Sequence, residues 1–262
     1  MKYNREKNNK PKEQQTERVT VEGRNSVYEA LAAGRPIDKI WISETVKPSG
    51  IKKLTDLARE KNVPVQFVKP QKVDSISQTD SSQGVVAVCS AVHYADLEDL
   101  FRKAEQKGTH PFVVIADEIT DPHNLGAIIR SANAAGADGV IIPKNRSAGL
   151  DAVVAKTSAG AVHHTHVVRV TNLSQTAETL KEKGLWLVGA DMSGESSLFE
   201  SNMTGPIGLV VGSEGKGISR LMREKCDFMV RIPMLGETES LNASVAAAVM
   251  MYEIVRQRNF KK

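Results

Sequence analysis

The sequence predicts an α/β protein in which short buried strands, mostly parallel, alternate with helices. Three observations carry this. Continuous β-branched apolar runs, such as 112–116 and 207–211, have the pattern of strands covered on both faces. Segments of helical period separate them, the order expected when crossover helices join parallel strands. Glycine, asparagine and Asp-Pro signals stand where the runs end.

Taken in order, residues 1–17 are polar, lysine-rich and without apolar period, and read as a disordered tail. Residues 25–33 read as a helix stopped by Gly34, and 37–42 as a strand. Then 51–61 reads as a helix, 65–68 as extended chain, 73–76 as a short helix and 84–92 as a buried strand. This alternation marks 18–92 as a small α/β domain, with Gly23, Arg24, Asn25 and the polar loop 78–84 as either RNA-facing or plain connecting loops. Residues 93–108 read as a linker ending in a helix of the next domain, which spans 109–262.

That domain opens with the strand 112–116 and a loop marked by Asp121-Pro122. Asn124 is expected to cap a helix whose buried face is Leu125, Ile128, Ile129 and Ala132. Arg130 falls on another side of that helix, within reach of whatever the loop holds. Gly126, Ala127, Ala134, Ala135 and Gly136 leave the helix small-sided, so another backbone can pack close. Strands follow at 139–142, 167–170 and 185–189, with helices at 152–158 and 173–182. The strand 207–211 runs into Gly212-Ser213-Glu214-Gly215-Lys216-Gly217, where glycines would let backbone N–H groups approach a ligand. A further strand, 229–234, ends at Pro233, and Asn242 is placed to cap the last helix. Two such loops after strands are where an open α/β sheet holds a nucleotide-like ligand.

The chain has 262 residues, 40% hydrophobic and 25% charged, a balance that can bury a sizeable core. A net charge of +4 and a pI near 9.0 suit a polyanionic partner. Aromatic residues make up only 5%, which argues against base stacking as the main source of nucleic-acid affinity. Cys89 and Cys226 lie in apolar or mixed runs without metal spacing and read as reduced thiols of a cytoplasmic protein. No apolar run is long enough to span a bilayer, and no signal-peptide pattern opens the chain.

The glycine loop differs from the dinucleotide fingerprint and lacks the P-loop spacing. Glu214 within it would repel a phosphate, which favours a cationic or hydroxyl-bearing ligand. His163, His164 and His166 have no Cys or Asp partner at metal spacing, so no metal is expected. Strand alternation would put His164 and His166 on one face. His123 reads as an exposed loop residue.

Three ordered clusters carry a resemblance. Asn124-Leu125-Gly126-Ala127-Ile128-Ile129-Arg130 comes first, then Gly212-Ser213-Glu214-Gly215-Lys216-Gly217. The third is Ile232-Pro233-Met234 with Ser240-Leu241-Asn242-Ala243-Ser244. Together they resemble the motifs of the SpoU (TrmH) branch of the SPOUT methyltransferases, over residues 112–256. Residues 19–92 are similar to that family's L30e-like substrate-binding domain, and the pairing most resembles members that methylate a guanosine of 23S rRNA.

The resemblance implies an α/β trefoil knot at the C-terminal end, S-adenosylmethionine as cofactor, and methyl transfer to a ribose 2′-hydroxyl of RNA. It implies a homodimer formed through the knot, with both subunits shaping the site and the helices of the first and third motifs as contact surfaces. It assigns activation of the hydroxyl to Arg130 and positioning to Asn124, Glu214, Ser240 and Asn242. Cofactor contacts fall to Gly189, Gly212, Glu214, Gly217, Ile232, Met234, Leu241 and Asn242.

Overall fold

The structure is a computed structural model and describes residues 20–260 except 78, 80, 81, 90–92, 193 and 195. The expected tail 1–17, the end of the expected strand 84–92 and part of the loop 78–84 lie outside the described residues. Elements follow one another as β1 (Thr20–Glu22), α1 (Arg24–Ala32), β2 (Ile37–Ser43), α2 (Lys52–Glu60), β3 (Val65–Val68), α3 (Pro70–Asp74), β4 (Val85–Cys89) and α4 (Leu97–Lys107). Next come β5 (Phe112–Ala116), α5 (Pro122–Ala134), β6 (Gly139–Pro143), α6 (Ala152–Thr157), β7 (His166–Val170), α7 (Leu173–Glu182) and β8 (Trp186–Ala190). The chain ends with β9 (Ser196–Ser197), β10 (Ile207–Val211), α8 (Arg220–Lys225), β11 (Phe228–Arg231) and α9 (Ala243–Asn259).

Two sheets result. The first has order β1-β4-β2-β3, with β1 and β2 antiparallel to β4 and β3 parallel to β2. The second has order β7-β6-β5-β10-β8-β11-β9 and is parallel throughout. Its strands alternate sides as the two-residue pleat requires. Val114, Ala116, Val140, Ile142, Leu209 and Val211 pack with α5, α6 and α9, whereas Val113, Ile115, Ile141, Val168, Leu187 and Val210 pack with α4, α7 and α8. Both faces are therefore apolar, which is why these strands read as continuous hydrophobic runs. Because the sheet is parallel, the loops after its main strands all leave at one edge. β10 inserted between β5 and β8 makes the crevice there.

Several local expectations are corrected. Asn124 is not the cap of α5. Asp121 is, accepting a hydrogen bond from His123 N at 3.0 Å, with Pro122 in the first helical position where its missing N–H costs nothing. The helix expected at 73–76 begins at Pro70 for the same reason. The strand expected at 229–234 stops at Arg231, whose pairing with Ser197 is the last rung; Ile232, Pro233 and Met234 form a loop. His163 and His164 lie in a 3-10 turn entered through Gly160 (φ 80), so only His166 belongs to a strand. The segment 93–108, expected as a linker ending in a helix, does end in α4, which buries Leu100 among residues of the second sheet, and Ala95 before it bridges Val168 on β7. β1 and α8 were not expected at all. No helix among the described residues is long and apolar enough to cross a membrane.

Candidate active site

A cavity of about 360 Å³ opens at the strand-end edge, between the loops that follow β8, β10 and β11 and the start of α9. Apolar walls come from Val211, Val230, Ile232, Met234, Leu241 and Met250; Asp191, Ser213, Glu214, Lys216, Glu239 and Ser240 supply polar groups. Of the residues expected to bind cofactor, Gly212, Glu214, Gly217, Ile232, Met234 and Leu241 line this cavity.

Gly189 does not line it. A Cβ there would come within 2.4 Å of Met229 Sδ, so this glycine makes room for a side chain beneath the cavity, and its neighbours Ala190, Asp191 and Met192 face the space instead. The sequence reading missed Asp191 and Met250. Asp191 ends the strand run at β8 and accepts a hydrogen bond from Arg223 of α8, which no local pattern marks.

The glycine loop is less open than its composition suggests. Ser213 N donates to Gly217 O at 3.0 Å and Gly217 N donates back to Ser213 O at 2.9 Å, so these two amides are spent within the turn. Gly212 is needed for closure: a Cβ would fall 2.0 Å from the Gly217 carbonyl carbon. Gly215 and Gly217 take positive φ angles of 84° and 67°. The turn is braced from β5 by the buried Asp117, which accepts from Ser219 N at 2.7 Å.

Asn242, which does not itself line the cavity, joins two of the expected residues, Asn124 and Glu214. Its Oδ1 caps α9, accepting from Ser244 N at 2.9 Å, Val245 N at 3.4 Å and Ser244 Oγ at 2.6 Å. That fixes the amide, and its Nδ2 donates to Asn124 Oδ1 at 3.0 Å and Glu214 Oε2 at 3.3 Å. Asn124, on the first turn of α5, thereby has its own amide oriented, with the oxygen taken and the NH₂ left to donate elsewhere. Ser240 lines the cavity two residues before the cap.

Arg130 stands apart. It is exposed on α5, does not line the cavity, and no hydrogen bond or ion pair engages it among the described residues. α5 itself is held by close packing: a Cβ on Gly126 would sit 1.9 Å from Thr157 Oγ1 of α6, and α5 also packs along α9. Beneath the site, burial and the neighbouring Asp227 charge push the Cys226 thiol up to about 12, leaving it protonated at neutral pH. No cluster of three or more His, Cys, Asp or Glu suited to a metal occurs among the described residues.

The donor set fits a nucleoside with a cationic centre better than a polyphosphate. The walls are largely apolar and backbone; with Asp191 paired to Arg223, the carboxylates Glu214 and Glu239 against the single Lys216 leave the lining better suited to a cationic centre than to an anion.

Comparison with known proteins points the same way. The SpoU rRNA Methylase family profile matches residues 111–252, and the profile for RNA 2′-O ribose methyltransferase substrate binding matches residues 20–95. A Bacillus subtilis protein provisionally assigned as the TrmH family tRNA/rRNA methyltransferase YacO is 46% identical, over 91% of this chain and 96% of its own. The structure of the SpoU methyltransferase AviRb from Streptomyces viridochromogenes, in complex with the cofactor AdoMet, is 30% identical with a TM-score of 0.57. It covers 91% of this chain and 89% of its own. The TrmH/SpoU tRNA modifying enzyme of A. aeolicus, 30% identical with a TM-score of 0.52, covers 61% of this chain and 82% of its own.

Proposed function

This chain belongs to the SpoU rRNA methylase family, and on that premise we propose that it methylates a ribose 2′-hydroxyl of 23S rRNA, a guanosine by the resemblance of its two units to that class. It is an S-adenosylmethionine-dependent RNA methyltransferase. The observation that carries the reading is the hydrogen-bonded meeting of Asn124, Glu214 and Asn242, from three separate motifs, beside a cavity of cofactor size that Glu214 lines.

Bound S-adenosylmethionine supplies an electrophilic methyl group on a sulfonium, which departs as a neutral thioether once the methyl is taken. Ile232, Met234, Leu241 and Met250 enclose its apolar parts and exclude water, while the Glu214 carboxylate favours a positive centre nearby. Asn124 presents its amide NH₂ to the incoming ribose, with Asn242 holding it in place. Ser240 offers a hydroxyl at the same rim. Arg130 binds the phosphate next to the target ribose and so favours ionisation of the hydroxyl; a guanidinium is a poor general base, and the proton passes to water.

Since Arg130 does not line its own cavity, we place it at the cavity of a second copy. Val245 and Tyr252, one heptad apart on α9, are 48% and 52% exposed and offer a self-complementary apolar stripe beside α5. The division into a substrate-binding unit at 18–92, a connector at 93–108 and a methyltransferase unit at 109–262 is part of the same proposal.

Ribosomal rather than transfer RNA is favoured by the first unit. A substrate-binding profile matches residues 20–95 of this chain, whereas the tRNA modifying enzyme covers only 61% of it. The test is to offer unmodified 23S rRNA and bulk tRNA from a deletion strain to the protein with labelled cofactor. Label is expected in 23S rRNA; label confined to tRNA would overturn the choice of substrate.

A further inference from the structure

The two sheets have separate apolar interiors. The clusters of the first run from Val27 to Cys89, those of the second begin at Leu100, and no residue is common to both sets. Among the described residues, no helix or strand of the first unit packs broadly on an element of the second. Apolar burial therefore does not set how one unit sits on the other.

A polar cluster does. Arg169 of β7 donates from Nη1 to the backbone oxygen of Asp38 at 3.1 Å and to its Oδ1 at 2.9 Å, and from Nη2 to Ile37 O at 3.1 Å. Tyr94, in the connector, donates its hydroxyl to the same Asp38 Oδ1 and accepts from Leu150 N at 3.1 Å. The Arg169 guanidinium lies 4.2 Å from the centre of the Tyr94 ring. The side chains of Arg169 and Asp38 are only 12% and 9% exposed. Gly149 completes the joint, since a Cβ there would come within 2.6 Å of Asp38 Cγ.

Four chain segments thus meet at one aspartate. A buried ion pair returns little net stability once desolvation is counted, but it accepts few alternative geometries. The loop that carries Gly149 and Leu150 also braces the loop before α5: Ala148 N donates to Ile119 O at 2.9 Å, and Arg146 Nη1 to Glu118 Oε1 at 3.0 Å. The joint therefore sits on the same framework that presents Asn124.

We propose that Asp38, Tyr94 and Arg169 are positioning residues that lock the substrate-binding unit onto the strand-end edge of the catalytic sheet, so that RNA held by one reaches the other at a fixed distance. This rests on the reading of the chain as an RNA methyltransferase whose first unit binds the substrate.

The test uses the full chain and three variants: Tyr94→Phe, which removes only the hydroxyl, Asp38→Asn, and the double substitution Asp38→Cys with Gly149→Cys. A Cβ at Gly149 would lie 2.6 Å from Asp38 Cγ, so the two positions are near enough for an engineered disulfide to replace the ion pair by a covalent tie. Solution scattering, affinity for S-adenosylhomocysteine, and KM and kcat for 23S rRNA are measured. Asp38→Asn is expected to enlarge the radius of gyration and raise KM for RNA about tenfold, the equivalent of one hydrogen-bonded charge lost. Cofactor affinity should stay within about twofold. Tyr94→Phe should fall between it and the native chain.

The oxidised disulfide form should regain the compact profile and the native KM, and lose both on reduction. A fall in melting temperature with scattering and KM unchanged, or an oxidised form that stays expanded or keeps a raised KM, would overturn the proposal. A native chain that methylates no RNA would sink the functional reading instead, while the scattering comparison still decides whether the joint holds the units together.

Discussion

Replacing Asn242 by aspartate separates the two jobs of its amide. The carboxylate keeps the acceptor that caps α9, and a negative group at a helix start is favourable. It loses the NH₂ that now donates to Asn124 Oδ1 at 3.0 Å and Glu214 Oε2 at 3.3 Å. Two hydrogen bonds of about 0.5–1.5 kcal/mol each are forfeited. A second carboxylate then faces Glu214 at close range, which adds about 1 kcal/mol of repulsion in a solvent-exposed setting. The loss, about 2–4 kcal/mol, falls on the arrangement of Asn124 and Glu214 rather than on the helix.

Turnover should therefore drop by about 30-fold to 1,000-fold, with the melting temperature lowered by only a few degrees. Asn242→Ala, which also removes the cap, should cost a further ~1 kcal/mol of stability, or about 2–4 °C in a chain of this size. The assay is label transfer from S-adenosylmethionine to RNA alongside thermal unfolding of both variants. An Asn242→Asp protein with native turnover would refute the reasoning, because it would show that the donated hydrogen bonds do not prepare the site.

Other expectations concern different parts of the molecule. Gly212→Ala drives a methyl group into the Gly217 carbonyl, so calorimetry should find cofactor affinity down by about 100-fold or more, with overpacking costing about 1–3 kcal/mol in unfolding experiments. Arg130→Lys keeps the charge but not the planar fork; kcat with RNA should fall at least about tenfold while cofactor binding is unchanged, and near-native turnover would count against the phosphate contact.

Hydrogen bonds from Arg256 and Gln257 hold the Glu253 carboxyl below its ordinary pKa. A depressed folded pKa gives stability that is present above the unfolded value, near ~4.3, and lost as pH falls through the folded one. Glu253→Gln should therefore show a smaller loss of melting temperature between pH 5 and pH 3 than the native chain. The raised pKa of Cys226 predicts slow alkylation at pH 8 in the native protein and fast alkylation after denaturation.

Much of the parallel sheet was legible because its strands are buried on both sides. The runs at Phe112–Ala116 and Ile207–Val211 carry no polar residue to confuse the period. The helix of α7 and the cap at Asn242 were likewise visible in local chemistry. The cap of α5 was readable too, in Asp121-Pro122, but the asparagine after it drew the assignment three residues too far. β1 was hidden by its length of three residues, and it is a strand only because β4 pairs with it.

The site was legible as motifs but not as geometry. Nothing in the order of residues says that Asn242 reaches Asn124 across 118 positions, that Gly217 spends its amide on Ser213, or that Arg130 does not line the cavity. The joint at Asp38 was invisible for the same reason: its partners Tyr94 and Arg169 lie 56 and 131 positions away and belong to no motif.

The proposed function requires that the loops after β8, β10 and β11 hold a methyl donor whose methyl group goes to a sugar oxygen. Alkaline digestion of RNA labelled by the protein tests it most directly, since a methylated 2′-oxygen cannot assist cleavage of the adjoining phosphodiester. The label is expected in alkali-resistant dinucleotides from 23S rRNA. Label recovered in mononucleotides, and hence on a base, would contradict it.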